Sequence, residues 1–386
     1  HDRGARGAPF RLNSISASMK SALDTRYVPG DDSADYLNYL RGDKANEVGT
    51  TTGKHVYRTR TAPLGDVVNS KLVLANPPSM RYSEVFNRGY AAFKRSQASR
   101  TPMVLFGAND GMLHVLNGST SGASAGKEMF AYVPSLTYYG PEGSSISNAN
   151  TSGLAALGNP AYEHRYYVDA TPQVFDVDFA KTYASGLSDP AWTTMVVGGL
   201  GKGGRGFYAL DITDPSAMST EADVSGKVLW EISNTTSGFE NMGYSYGVPV
   251  MVKTAKYGWT LILTSGYNNT DGQGYLYLVN PRTGELLETI GTGQAAPGMT
   301  HASAFIKNYT DGIADAVYAG DLDGKLWRFD LTKTTGSFDR PVVLFQAVSP
   351  DGGGNRLPLP LLRKFTPPHV IAWCCLERVS CWMDRT

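Results

Sequence analysis

The sequence predicts an all-β fold, an irregular β-propeller. A repeated hairpin module, the spacing of its glycine turns and the composition all support it. The module is plainest from Asp315 to Leu331, DAVYAGDLDGKLWRFDL. A short apolar strand runs into a Gly-Asp/Asp-Gly turn, and a second strand then alternates Leu326, Trp327, Arg328, Phe329. Alternation of this kind gives a strand one inward and one outward row. Asp323-Gly324 supplies the positive φ that a tight hairpin needs. Looser copies run from Val104 to Gly118, Thr194 to Pro215 and Thr260 to Thr289, each closing on an Asp or Asn. Repetition of one β-module at this scale is the signature of a propeller. The turns near Gly107, Gly198, Gly266 and Gly320 are spaced by 91, 68 and 54 residues. A four-stranded blade takes roughly 40–50 residues. The surplus calls for long insertions, or for outer strands that the sequence marks poorly. Forty-three Gly and 22 Tyr with only 18% charged residues suit a turn-rich β protein.

In chain order, residues 1–95 read as a mixed, partly helical lead. Ser33 to Leu40 is predicted to be a short helix, with Ser33 as N-cap and Tyr36, Leu37 and Leu40 on one face. Tyr57 to Leu74 leads into extended chain. Tyr82 to Lys94 places Val85, Phe86, Tyr90 and Phe93 at helical spacing, a stripe expected to pack against the propeller. Residues 96–350 carry the blades. Within them Gly140 to Asn159, rich in Gly, Ser and Asn, is expected to be a long surface insertion of the kind that hosts binding. Residues 351–386 break the pattern. Leu357 to Thr386 holds Cys374, Cys375 and Cys381, two of the six Trp and no Gly. It reads as an aberrant, out-of-frame or chimeric tail, and no function is placed there.

Composition removes several function classes. Thirty-five basic and 35 acidic residues cancel, so nothing points to a nucleic-acid or anionic-membrane surface. No apolar run is long enough for a transmembrane segment. The chain starts at His1 and shows no signal peptide, which reads as a fragment or a mature product. A core of this size does not need disulfides, so the scarcity of cysteine suits either redox compartment.

Seven segments together resemble the C-terminal domain of the PilC/PilY family of type IV pilus biogenesis factors and tip adhesins. They are YLNYLRGD (36–43), APLGDVVNSKLVL (62–74), RTPMVLFGANDGMLHVLNG (100–118), EMFAYVPS (128–135), YEHRYYVDATPQVFDV (162–177), VVGGLGKGGRGFYALDITDP (196–215) and YAGDLDGKLWRFDL (318–331). They occur in family order over residues 35–345. The resemblance implies a quinoprotein-like propeller with calcium-binding loops. It also implies a secreted, extracytoplasmic protein at the cell surface, the pilus tip or the outer membrane. The implied role is to support pilus extension against retraction, with twitching motility and adhesion following from it. The partners it implies are minor pilins and the pilus tip, and a host-cell or abiotic surface, with an integrin among the candidates. The family propeller continues well past WRFDL, whereas this chain soon enters its aberrant tail. An incomplete ring with unpaired strand edges is therefore among the expected outcomes.

The family loop has the form D-x-D/N-x-D-G-x-x-D, in which spaced oxygens wrap a hard cation. Here Asp311-Gly312 and Asp315 match its later positions, while Lys307 and Tyr309 stand where the first and third ligands belong. An ammonium repels the ion and a phenol is a poor ligand. The candidate calcium set is thus Asn308, Asp311, the Ile313 carbonyl and Asp315, a degenerate loop whose alternative is a plain turn. Asp271 with Asn268 and Asn269 is a weaker second candidate, and also reads as a turn. Arg41-Gly42-Asp43 matches the integrin tripeptide, and some relatives are associated with integrin binding. Its alternative is an Arg–carboxylate pair beside a glycine that ends a helix. Gly199 to Gly204 satisfies G-x-G-x-x-G, but Arg205 to Ile212 is strand-like where a dinucleotide site needs a helix. Lys202 and Arg205 are expected to be solvated. No catalytic residue and no organic cofactor are expected. The competing class is a quinone-dependent (PQQ-type) dehydrogenase, suggested by similar repeats and by adjacent Cys374 and Cys375. That pair lies in the tail, no cofactor-binding constellation accompanies it, and His114, His164 and His301 are scattered.

Overall fold

The computed structural model describes residues 7–23, 34–51, 53–54, 56–141, 143 and 145–347. The sequence readings for Ser33, for Cys374, Cys375 and Cys381, and for residues 351–386 lie outside the described residues. Four antiparallel four-stranded sheets follow one another along the chain, each paired in simple sequential order. The first contains β1 (Val73–Ala75), β2 (Met103–Gly107), β3 (Leu113–Asn117) and β4 (Glu128–Tyr132). The second contains β5 (Gln173–Asp178), β6 (Trp192–Gly199), β7 (Gly206–Asp211) and β8 (Val228–Ser233). The third contains β9 (Val250–Thr254), β10 (Gly258–Thr264), β11 (Gln273–Val279) and β12 (Leu286–Ala295). The fourth contains β13 (Ala302–Phe305), β14 (Ala316–Gly320), β15 (Lys325–Asp330) and β16 (Val342–Gln346). These are propeller blades.

The four hairpin modules of the sequence are the two middle strands of each blade. Their closing residues share one job. Asn117, Asp211, Asn280 and Asp330 each accept the backbone N–H two residues on, at 2.9, 2.9, 3.0 and 2.9 Å. This Asx turn bends the chain out of the third strand. In blade 4 a second tie is added: the Trp327 indole N–H donates to Asp321 at 2.8 Å, both side chains being buried.

Period-two alternation builds the space between blades. On β10 and β11, Leu261, Leu263, Tyr277 and Val279 face blade 2, against Val197, Phe207, Ala209, Trp230 and Ile232. The alternate residues Ile262, Leu276 and Leu278 face blade 4, against Val317, Ala319, Trp327 and Phe329. Blade 1 meets blade 2 through Met103, Leu105, Leu113 and Val115 against Val196, Tyr208 and Leu210. Each strand therefore serves two interfaces, and a one-residue slip would exchange them. Among the described residues no such cluster joins blade 4 to blade 1. Val342, Val343, Leu344 and Phe345 of β16 are exposed, as is Leu74 of β1.

Three sequence expectations are corrected. The stripe from Tyr82 to Lys94 is not one helix. Gly89, at φ 83°, admits a helix only from Tyr90 to Ser96, and Val85 and Phe86 are left exposed while Tyr90 is buried. Blade 1 takes its first strand at Val73–Ala75, upstream of residue 96, because β1 pairs with β2 from Val73↔Leu105 to Ala75↔Met103. Gly140 to Asn159 is not a bare surface loop. It folds into a helix, Ile146–Thr151, and a 3-10 turn, Leu154–Gly158, whose Leu154 and Leu157 pack with Tyr36, Leu37, Tyr39, Leu40 and Tyr57 of the lead. Glycine and polar residues disguised a short apolar LAAL core segment.

Candidate functional site

The degenerate calcium loop joins β13 to β14. Its carboxylates are engaged within the loop. Asp311 accepts the Ile313 N–H at 2.9 Å and the Asn308 amide N–H at 2.6 Å, and Asp315 accepts the Lys307 N–H at 2.7 Å. The Asn308 amide oxygen accepts from the Thr310 N–H at 3.1 Å. Gly312 takes the positive φ, 70°, that a turn of this shape requires. Tyr309 points to solvent, 83% exposed. The loop is also held from blade 3. Lys253 donates from its ammonium to the carbonyls of Asp311 and Phe86, both at 3.2 Å, and its own carbonyl accepts the Ala314 N–H at 2.8 Å. Burial depresses the Lys253 pKa, and Asp311 and Asp178 oppose that shift. Calcium takes six to eight oxygens. Two carboxylates spent on loop N–H groups, beside a lysine and an outward tyrosine, do not fit that demand. Asp271 likewise accepts the Gln273 N–H, at 3.0 Å, in the turn between β10 and β11. Among the described residues no group of three or more His, Cys, Asp or Glu side chains is placed to hold a metal.

The Arg41-Gly42-Asp43 tripeptide ends the helix Ala34–Leu40. Gly42, at φ 108°, donates its N–H to Tyr39 O at 2.9 Å, and Asp43 donates to Asn38 O at 2.9 Å. These are the two bonds of a Schellman cap. The Asp43 carboxylate then accepts the Ala45 N–H at 2.8 Å, and Arg41 pairs with Glu221 at 2.6 Å. Glu221 is shared with Arg11, at 2.7 Å. Burial raises the Glu221 carboxyl, but the two arginines outweigh it and hold it below its usual range. The tripeptide thus sits in the lead, against the segment before β8, while the degenerate loop sits on blade 4. The structure does not bring them together.

The glycine loop Gly199–Gly204 connects β6 to β7. The residues after it form a strand, so its backbone lacks the helix N-terminus that a dinucleotide needs. The glycines serve close backbone packing instead: a Cβ on Gly203 would lie 1.9 Å from Tyr167 O. Around the loop stand Tyr166, Tyr244, Tyr246 and Tyr267, all half-buried. Sequence reasoning passed over these tyrosines. Tyr166 lies in the YEHRYYVD segment, and no local pattern joins it to Tyr244, Tyr246 and Tyr267, which come from other parts of the chain. His164 meets Asp66 at 2.9 Å. His114 was also passed over. It is buried on β3 between Asp110 at 3.0 Å and Glu128 at 3.1 Å, with its ring stacked on Phe106.

Comparison with known proteins accounts for most of the chain. Residues 64–348 match the family model described as the PilY1 beta-propeller domain. The chain is 33% identical over 345 residues to a type IV pilus biogenesis factor PilY1 homolog of Xylella fastidiosa, covering 82% of this chain and 21% of that protein. It is 32% identical over 341 residues to the type IV pilus biogenesis factor PilY1 of Pseudomonas aeruginosa strain PAK, covering 83% and 25%. Its fold is similar to the crystal structure of the Pseudomonas aeruginosa PilY1 C-terminal domain, with a TM-score of 0.52 and 27% identity over 73% of this chain and 54% of that one. The chain spans about a fifth to a quarter of the length of these curated relatives.

Proposed function

This chain belongs to the PilY1 β-propeller family, and on that footing we propose that it serves type IV pilus biogenesis and surface attachment, as a scaffold without catalysis. One observation carries the reading. The family match spans residues 64–348, and all sixteen blade strands, from Val73 to Gln346, fall inside it. The protein's place is the cell surface or the pilus, and its partners are minor pilins at the pilus tip and a host-cell or abiotic surface. No described helix is long and apolar enough to cross a membrane.

No observation favours the quinone-dependent dehydrogenase. Glu231 accepts from the Ser135 N–H at 2.8 Å, and with Asp110, His114 and Glu128 it lines a cavity between the lead and blades 1 and 2. The degenerate loop is proposed to keep its shape without calcium, through Lys253 and its own Asx bonds. An integrin would reach Arg41 only by displacing Glu221, so attachment is assigned to surfaces other than the tripeptide.

The test is genetic and chemical together. A strain lacking the full-length gene should lose surface pili and attachment and regain both on complementation. Purified protein should not reduce a dye acceptor with alcohols or sugars in the presence of added pyrroloquinoline quinone and calcium. Normal piliation in the deletion strain, or dye reduction at ordinary enzymatic rates, would sink the reading.

A further inference from the structure

The proposed function leaves unused the chemistry of the glycine loop on blade 2. That loop is pinned. Leu200 donates its N–H to Ser245 Oγ at 2.9 Å, Ser245 donates to Gly204 O at 3.1 Å, and Asp169 donates its N–H to Leu200 O at 3.2 Å. Gly201, at φ 59°, and Gly203 let neighbouring backbone run against the loop where a side chain would collide. Two cations project from this rigid base. The Lys202 ammonium lies 4.3 Å over the Tyr166 ring, and the Arg205 guanidinium 5.0 Å over the Tyr244 ring.

Neither cation has a carboxylate partner among the ion pairs of the described residues. The Arg205 Nε is buried and makes no hydrogen bond. The nearby carboxylate, Asp169, is buried and already accepts from the Asn69 N–H and amide at 3.1 and 2.6 Å. Tyr246 and Tyr267 meet edge to face at 5.0 Å, and Tyr244 is bridged to Tyr267 through the backbone. The four tyrosines and two cations are therefore one surface, shared by blades 2 and 3.

We propose that this surface docks an acidic segment of a partner protein, with Lys202 and Arg205 pairing its carboxylates above the tyrosines. The charges on the face lack an internal counter-charge, which makes an acidic partner complementary. A cation held over a ring is already oriented and partly desolvated, so less freedom is lost on binding. Tyrosine and arginine on a fixed backbone form the usual centre of a protein–protein interface, which favours a polypeptide over a saccharide. The inference does not depend on the pilus reading and can fail separately from it.

The test uses the full chain and a short fluorescein-labelled peptide of glutamates and glycines, followed by fluorescence anisotropy. Saturable binding is expected, and it should weaken as salt rises. Lys202→Ala/Arg205→Ala should weaken it by about tenfold or more. Lys20→Ala/Lys127→Ala removes the same charge from exposed sites elsewhere and should leave it unchanged. Arg205→Lys keeps the charge, loses the planar fork and should fall between. The double variant should melt with the wild type, and if it does not fold, Arg205→Lys and Lys202→Ala alone carry the test. Absence of saturable binding, or equal losses in the two double variants, overturns the proposal. So does binding of a heparin fragment at this loop without binding of the peptide, which assigns the face to an acidic saccharide.

Discussion

His114 shows what a single residue adds that its neighbours in sequence do not announce. Alternation along β3 says which face it joins. It does not say that Asp110 of the preceding turn and Glu128 of β4 will hold its two ring nitrogens, because β4 is weakly marked in the sequence. Burial alone would depress its pKa, but the hydrogen bonds and charges of Asp110 and Glu128 outweigh burial and push it up to about 9. The folded value lies above the ordinary value of about 6.5. Its contribution to stability is therefore fully present below about pH 6.5 and is lost as pH rises through about 9. Thermal melts from pH 6 to 10 should show a loss on the order of 1–3 kcal/mol across that window, and His114→Gln should flatten it. A wild-type profile as flat as the variant's would refute the assignment. Arg41 carries the same lesson. A glycine ending a helix was legible at Gly42, but the partner of Arg41, Glu221, comes from the segment before β8 in blade 2, and no local pattern points to it.

Among elements, the middle strands were legible and the flanking ones were not. Hairpins carry their own turn chemistry, so the four modules, with their closing Asn or Asp, stand out. The first strand of blade 1, Val73–Ala75, is three residues long and borrows its identity from β2. The Tyr82–Lys94 stripe misled because apolar spacing outweighed Gly89, whose left-handed conformation ends any helix running through it. In the loop between β13 and β14 the residue types were legible: Lys307 and Tyr309 stand where two ligands of the family loop belong. The brace on this loop was not, since Lys253 lies more than fifty residues upstream. Millimolar calcium against chelator should leave the melting temperature of the wild type unchanged, and likewise that of Asp311→Ala. Lys253→Met should lower stability by about 1–3 kcal/mol with or without calcium, because two carbonyls lose a charged donor. A calcium-dependent rise of several degrees, abolished by Asp311→Ala, would show that the loop binds the ion after all.

At the scale of the molecule, blade stacking gives so neutral a chain a fixed framework. Interfaces between blades consume the alternating apolar residues, and the loops at their ends remain free to differ. The uncovered strand β16, with Val342 to Phe345 exposed, marks a face that the other blades have covered in their own case. Repetition made the propeller legible. It did not make blade closure legible, because closure depends on faces that meet across the whole ring. These four blades are proposed to supply a working PilY1-type propeller. The direct measurement is a domain exchange. Residues 64–347 replace the matching segment of the full-length Pseudomonas aeruginosa PilY1 in a strain lacking its own copy, and sheared surface pili are quantified. Pili restored well above the deletion background, with the exchanged protein present at the cell surface, is the predicted result. A chimera that is stably folded and surface-located yet leaves the cells without pili would contradict it.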